Sequence, residues 1–161
     1  FFNFNPKLYE GWNKNAKSLM ETTKKIIQKS LDEKYERILI LEDDAFFQNF
    51  NKGMSSLKNF LNSGYNWDFI HLNYLHVSSF TFTSFDGVLK LRNGCLCCQA
   101  YLINKNVMQR YLDDLNKYEM PIDHITRKIH ISRKMSYVIS PKMVDHPKGN
   151  YSTIRKKIVD Y

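Results

Sequence analysis

The sequence predicts an α/β domain, a mixed sheet flanked by helices. Three observations carry that prediction. Stretches with apolar residues three and four apart alternate with short apolar runs, the order of helices and strands in an α/β layer. The run Ile38-Leu39-Ile40-Leu41 is unbroken and leads straight into three acids, Glu42, Asp43 and Asp44. A hydrophobic content of 43% over 161 residues supplies one core, and 14% aromatic residues set the chain apart from disordered sequences.

The elements follow in order. Residues 11–33 predict a helix, because Ala16, Leu19, Met20, Thr23, Ile26, Ile27 and Leu31 share one face while the lysines fall largely outside it. Residues 38–41 predict a strand buried on both faces, as in a parallel sheet. A helix over 54–62 turns Met54, Leu57, Phe60 and Leu61 inward, and Gly64 lies just past its end. Residues 67–73 predict a second buried strand, and the Ser-, Thr- and Phe-rich stretch 74–87 a loop or irregular hairpin. A short strand at 88–91 and a turn at Arg92-Asn93-Gly94 precede a third strand candidate at 97–103. Asn104 is placed to cap a helix over 105–116, striped by Val107, Met108, Tyr111, Leu112 and Leu115. Pro121 and Asp123 open another short helix to about residue 131. A last strand at 135–139, an extended stretch at 141–147 and a basic tail complete the chain. No repeat or linker divides it, so residues 1–161 are read as one domain. Its first residues lack the apolar run and cleavage site of a signal peptide and read as the interior of a longer protein.

The net charge of +8 points to anionic partners: nucleotide-sugars, nucleic acid or an acidic membrane surface. No stretch approaches the ~20 apolar residues of a membrane span, which leaves peripheral membrane contact open. Cys95, Cys97 and Cys98 sit together and are odd in number. They read as buried strand thiols in a reducing compartment, not as a disulfide framework or a paired C-x-x-C zinc site. The three acids carry the sharpest signal. Like charges this close repel unless a cation or donors compensate, and Mg²⁺ or Mn²⁺ takes oxygen ligands and bridges to phosphates. The competing reading is acids that cap a helix or face water.

Residues 39–47, Leu-Ile-Leu-Glu-Asp-Asp-Ala-Phe-Phe, resemble the L-I-L-E-D-D-A-x-F signature of glycosyltransferase family 25. Trp67-Asp68-Phe69-Ile70-His71-Leu72, Ala100-Tyr101-Leu102-Ile103 and Pro121-Ile122-Asp123 are similar to that family's later blocks, in the same order. The resemblance implies a GT-A-like, Rossmann-like sheet, a nucleotide-sugar donor (usually UDP-linked) and a divalent metal, Mn²⁺ or Mg²⁺. It further implies inverting transfer of a galactose-like hexose to a glycan or protein hydroxyl, in the cytoplasm, and lipopolysaccharide biosynthesis as one setting. Mapped onto this chain, Asp44 is the first metal ligand, Glu42 a donor or metal contact, and Asp43 a support for either. The family's first nucleotide-binding strand and its G-C-x-x-S-H segment are not found in residues 1–35, so the sheet is expected to lack that strand. The family's closing S-D-I stands here as Ser152-Thr153-Ile154, without the acid.

Inverting transfer needs a base for the acceptor hydroxyl, and Asp123 is the candidate; a plain helix N-cap is the other reading. His146, in Asp145-His146-Pro147, is a candidate metal ligand, since GT-A enzymes bring a late histidine to the metal; Asp145 is a lesser one. Trp67 and Tyr74 can stack on a sugar or base or pack in the core. Arg127, Lys128, Arg133 and Lys134 can bind phosphate or form a solvated face. Three other outcomes stand beside the transferase: a basic nucleic-acid-binding module, which lacks any RNP, KH or zinc-finger pattern; a metal-dependent hydrolase or nuclease, for which only Asp123 and Asp145 offer carboxylates from further segments; and an inactive glycosyltransferase-like fragment. The partner expectation is therefore no nucleic acid.

Overall fold

The structure is a computed structural model. It describes residues 14–145 apart from 76, 78, 97 and 98, and the strand residues 151–152 and 157–158. Four helices are seen: α1 Lys14–Asp32, α2 Phe50–Leu61, α3 Lys105–Lys117 and α4 Ile122–Arg133. The strands are β1 Arg37–Leu41, β2 Phe46–Phe47, β3 Phe69–His71, β4 Phe80–Phe82, β5 Val88–Leu91 and β6 Ala100–Asn104. They continue with β7 Ser136–Ile139, β8 Val144–Asp145, β9 Tyr151–Ser152 and β10 Lys157–Ile158.

Six strands form one sheet in the order β1-β6-β3-β7-β5-β4. Among its described pairs only β3–β7 is parallel; β1–β6, β3–β6, β5–β7 and β4–β5 are antiparallel. The sheet is mixed, as expected. Strand alternation sends side chains to two cores. Phe69, Tyr101 and Ile103 join Ile27 of α1, Met108 and Tyr111 of α3 and Ile125 of α4 on one face. Ile70, Leu102, Tyr137 and Ile139 join Leu57 and Phe60 of α2 on the other.

The expectation for the strand at 38–41 is corrected. β1 lies at the sheet edge, pairs antiparallel with β6, and is buried on one face only. Ile40 enters the core beneath α1 and α3, whereas Leu39 and Leu41 are 50% and 43% exposed. The cause is the reach of α2. It packs against β5 and β7, strands away from β1, and so leaves the second face of β1 uncovered.

Local signals place the helices well. The Asn104 side chain accepts from the N–H of Asn106 at 3.2 Å and starts α3 as predicted. The stretch 74–87 contains β4, which makes a hairpin with β5. Gly53 on α2 is pressed against the Met143 side chain, so a larger residue there would force that side chain or α2 to shift. Cys95 is buried but lies in the connection between β5 and β6, not in a strand; Cys97 and Cys98 fall outside the described residues.

Candidate active site

The acids leave the sheet where β1 ends. Glu42 prolongs the ladder by one bond, its N–H donating to the Gln99 carbonyl at 2.7 Å. The chain then turns, with Ala45 N–H donating to the Glu42 carbonyl at 3.2 Å, so Asp43 and Asp44 occupy a tight corner. β2 follows and pairs with β8, which sets Phe46 opposite Asp145. The N–H groups of Met143 and Val144 both donate to the Leu72 carbonyl, at 2.9 and 3.2 Å. This ties the strand carrying Asp145 to the end of β3. Two sheet exits and a late strand therefore meet at one corner.

Asp123 reaches that corner from α4. Pro121 occupies the N-cap position and Asp123 lies in the first helical turn, so the N-cap reading of Asp123 is corrected. Its charge is felt at Glu42. Burial first, then the carboxylates of Asp123, Asp44 and Asp43, push the Glu42 carboxyl up to about 7. Among the described residues no basic side chain forms an ion pair with Glu42, Asp43 or Asp123. The cluster gathers several carboxylates at one corner, and its donors are hard oxygens, which fits a hard divalent cation. The carboxylates do not converge on a single point: the only three metal-ligating atoms within 4.8 Å of one another among the described residues come from His71, Cys95 and His130.

A buried amide pair supports Asp44. Gln99 Nε2 donates to Asp44 Oδ1 at 3.2 Å, and Asn73 Nδ2 donates to Gln99 Oε1 at 2.5 Å. Nothing in the sequence singles out Gln99 or Asn73; their value comes from β3 and β6 lying side by side. Asp145 Oδ2 accepts from Gln48 Nε2 at 3.2 Å and lies 3.8 Å from Lys142 Nζ. His146 falls outside the described residues.

Other sequence candidates have structural employment. Trp67 is buried in the core around α2, and Tyr74 packs on the third small cluster near Leu91. Arg133 forks onto the buried Asp68 with Nε and Nη2 bonds of 2.6 and 3.0 Å, which accounts for both residues without a phosphate. Lys128 Nζ sits 3.4 Å above the Tyr118 ring, and Arg127 donates to the Asn93 carbonyl. Lys134 ends α4 in the left-handed region, with φ 56°.

A mixed sheet with helices on both faces and an acid cluster at a strand exit define the class, an α/β domain of the Rossmann-like kind. The chain belongs to glycosyltransferase family 25, described as an LPS biosynthesis protein, whose family model matches residues 23–126. That span runs from α1 into the first turns of α4 and includes Glu42, Asp43, Asp44 and Asp123. No curated protein matches the chain. A glycosyltransferase takes a sugar donor and an acceptor as partners. Among the described residues no helix is long and apolar enough to cross a membrane.

Proposed function

We propose that this domain transfers a galactose-like hexose from a nucleotide-sugar, UDP-linked, to a hydroxyl of a glycan or protein, with inversion and with Mn²⁺ or Mg²⁺. The observation that carries the reading is the family match over residues 23–126 together with the gathering of Glu42, Asp43, Asp44 and Asp123 at one strand exit, where burial and the neighbouring carboxylates raise the proton affinity of Glu42. Perturbed acids at a strand exit mark functional sites.

Asp44, oriented by Gln99, is the leading metal ligand, with Glu42 beside it, Asp43 in support and His146 as a further ligand. The ion, when bound, supplies positive charge for the departing diphosphate. Asp123 takes the proton of the acceptor hydroxyl. The acceptor oxygen bonds to the sugar C1 as the bond from C1 to the diphosphate oxygen breaks. Phe46, Phe47 and Phe50 expose their rings next to the acids, and Phe47 and Phe50 meet edge-to-face at 5.7 Å. They offer an apolar face for a sugar ring. The reading keeps the reaction in the cytoplasm, allows peripheral membrane contact through the basic surface, and takes no nucleic acid as partner.

The test is a panel of nucleotide-sugars with Mn²⁺, Mg²⁺ or EDTA, scored by release of the nucleoside diphosphate. Release from a UDP-hexose that EDTA stops supports the reading. Turnover unaffected by EDTA removes the metal, and no turnover with any donor removes the transferase assignment.

A further inference from the structure

The transfer reaction leaves one buried cluster unused. His71 ends β3 with 0% exposure, His130 lies on α4 at 1%, and Cys95 sits at 2% in the connection between β5 and β6. The two histidine Nε2 atoms are 3.0 Å apart, with the rings nearly perpendicular at 82°. Cys95 bears a reduced thiol, and one ligand atom from each of the three residues lies within 4.8 Å of the other two. Three separate elements thus bring two nitrogens and a sulfur to one point inside the protein.

The surroundings are buried and closely packed. Phe69 packs edge-on against His130 at 5.2 Å and stacks beside His71 at 6.2 Å. Gly94, with φ 75°, backs onto α4 so closely that a Cβ would stand 2.9 Å from Arg127 Cγ and 3.2 Å from His130 Nδ1. That same Nδ1 is buried and has no hydrogen-bond partner among the described residues. Burial, then His71, then Arg127 hold His130 well below the ordinary histidine range, so its ring is neutral, the form that ligates metals. In the metal-free protein one Nε2–H points at the other Nε2.

We propose that His71, Cys95 and His130 form a site for a borderline-to-soft transition ion of the zinc type, distinct from the carboxylate corner. The donor set decides the class: imidazole and thiolate select such ions, whereas Mg²⁺ and Mn²⁺ go to oxygens. A tetrahedral Zn²⁺ bonds nitrogen at about 2.0–2.1 Å and sulfur at about 2.3 Å, which separates its ligand atoms by roughly 3.4–3.6 Å. The histidine pair would part by a few tenths of an ångström, and the thiol would close by roughly 1 Å. Binding forms two N–Zn bonds and one S–Zn bond as waters leave the ion; the thiol proton leaves to the buffer, and the proton between the two Nε2 atoms is replaced by one on that ring's Nδ1, so both rings stay neutral. The ion would pin the connection between β5 and β6 and the back of α4 to β3. Since α4 also carries Asp123, the site acts as a structural clasp for the helix that faces the acids.

The test uses the full chain with Cys97 and Cys98 changed to Ser, stripped with a chelator and titrated with Co²⁺ and then Zn²⁺. The expected result is a thiolate-to-cobalt band that saturates at one equivalent and is bleached by Zn²⁺. Zn²⁺ should also raise the melting temperature and slow alkylation of Cys95. Cys95→Ser should lose the band while keeping its circular dichroism, and Asp44→Asn should keep it. A folded protein that develops no such band, or a band that survives Cys95→Ser, overturns the site. A band lost in Asp44→Asn but kept in Cys95→Ser would assign the ion to the carboxylates and also overturn it. None of these readouts uses sugar transfer, so the clasp and the transferase reading fail separately.

Discussion

Asp123, in the first turn of α4, acts on Glu42, one residue beyond β1: burial and then the Asp123 charge hold the Glu42 proton up to about pH 7. Residues 81 positions apart in sequence are coupled because α4 and β1 deliver them to one corner.

This coupling sets a pH dependence. Glu42 has a folded-state value of about 7 against an ordinary 4.5, so the folded protein binds the extra proton. Its contribution to stability is whole below about pH 4.5 and is lost as pH rises through 7. Glu42→Gln should therefore stabilise the metal-free protein at pH 8 by about 1–2 kcal/mol after solvent screening, and leave it nearly unchanged at pH 4. Urea unfolding at both pH values measures this; an equal effect at both would contradict the coupling.

Asp123→Asn removes both the proposed base and a repelling charge. Turnover should fall about 10²–10⁴-fold with donor binding retained. The titration of Glu42, followed by carbon NMR of its carboxyl, should move down. A Glu42 midpoint that stays put would mean that Asp123 lies too far away to act on it.

Gln99→Leu should weaken metal-dependent activity more than it weakens the fold. It strips Asp44 of its 3.2 Å donor and leaves the buried Asn73 Nδ2 without its acceptor. The stability cost should be about 1–3 kcal/mol, and the Mn²⁺ concentration for half-maximal turnover should rise. An unchanged metal requirement would free Asp44 from the amide pair.

Arg133→Leu tests the fold apart from the site. Asp68 is 1% exposed and takes both of its ion-pair bonds from this guanidinium. Leaving that carboxylate buried and unpaired should cost about 3–5 kcal/mol in denaturant unfolding. A loss of phosphate-ligand binding with full stability would instead return Arg133 to the phosphate-binding role that its place in a basic run first suggests.

The helices and most strand cores could be read from the sequence because they depend on local pattern. The Asn104 cap and the stripe from Val107 to Leu115 are local, and the structure places both as expected. Strand partners are not local. An unbroken apolar run such as 38–41 is the same string whether both its faces or one face is covered, and only the position of α2 exposes Leu39 and Leu41. The acids at 42–44 stood out because three charges follow an apolar run. Gln99, Asn73 and the His71–Cys95–His130 cluster did not, since each depends on strands and a helix far apart in the chain. The partners of the basic run from Arg127 to Lys134 are not legible either: Asp68, which takes Arg133, is remote in sequence, and nothing in the chain marks Tyr118 as the ring beneath Lys128.

The most direct test of the acid corner is calorimetric titration of UDP into the protein with and without saturating Mn²⁺, repeated on Asp44→Asn. The account predicts that Mn²⁺ tightens UDP binding in the unaltered protein and that Asp44→Asn abolishes this gain while the fold persists. UDP affinity indifferent to Mn²⁺, or a gain that survives Asp44→Asn, would contradict it.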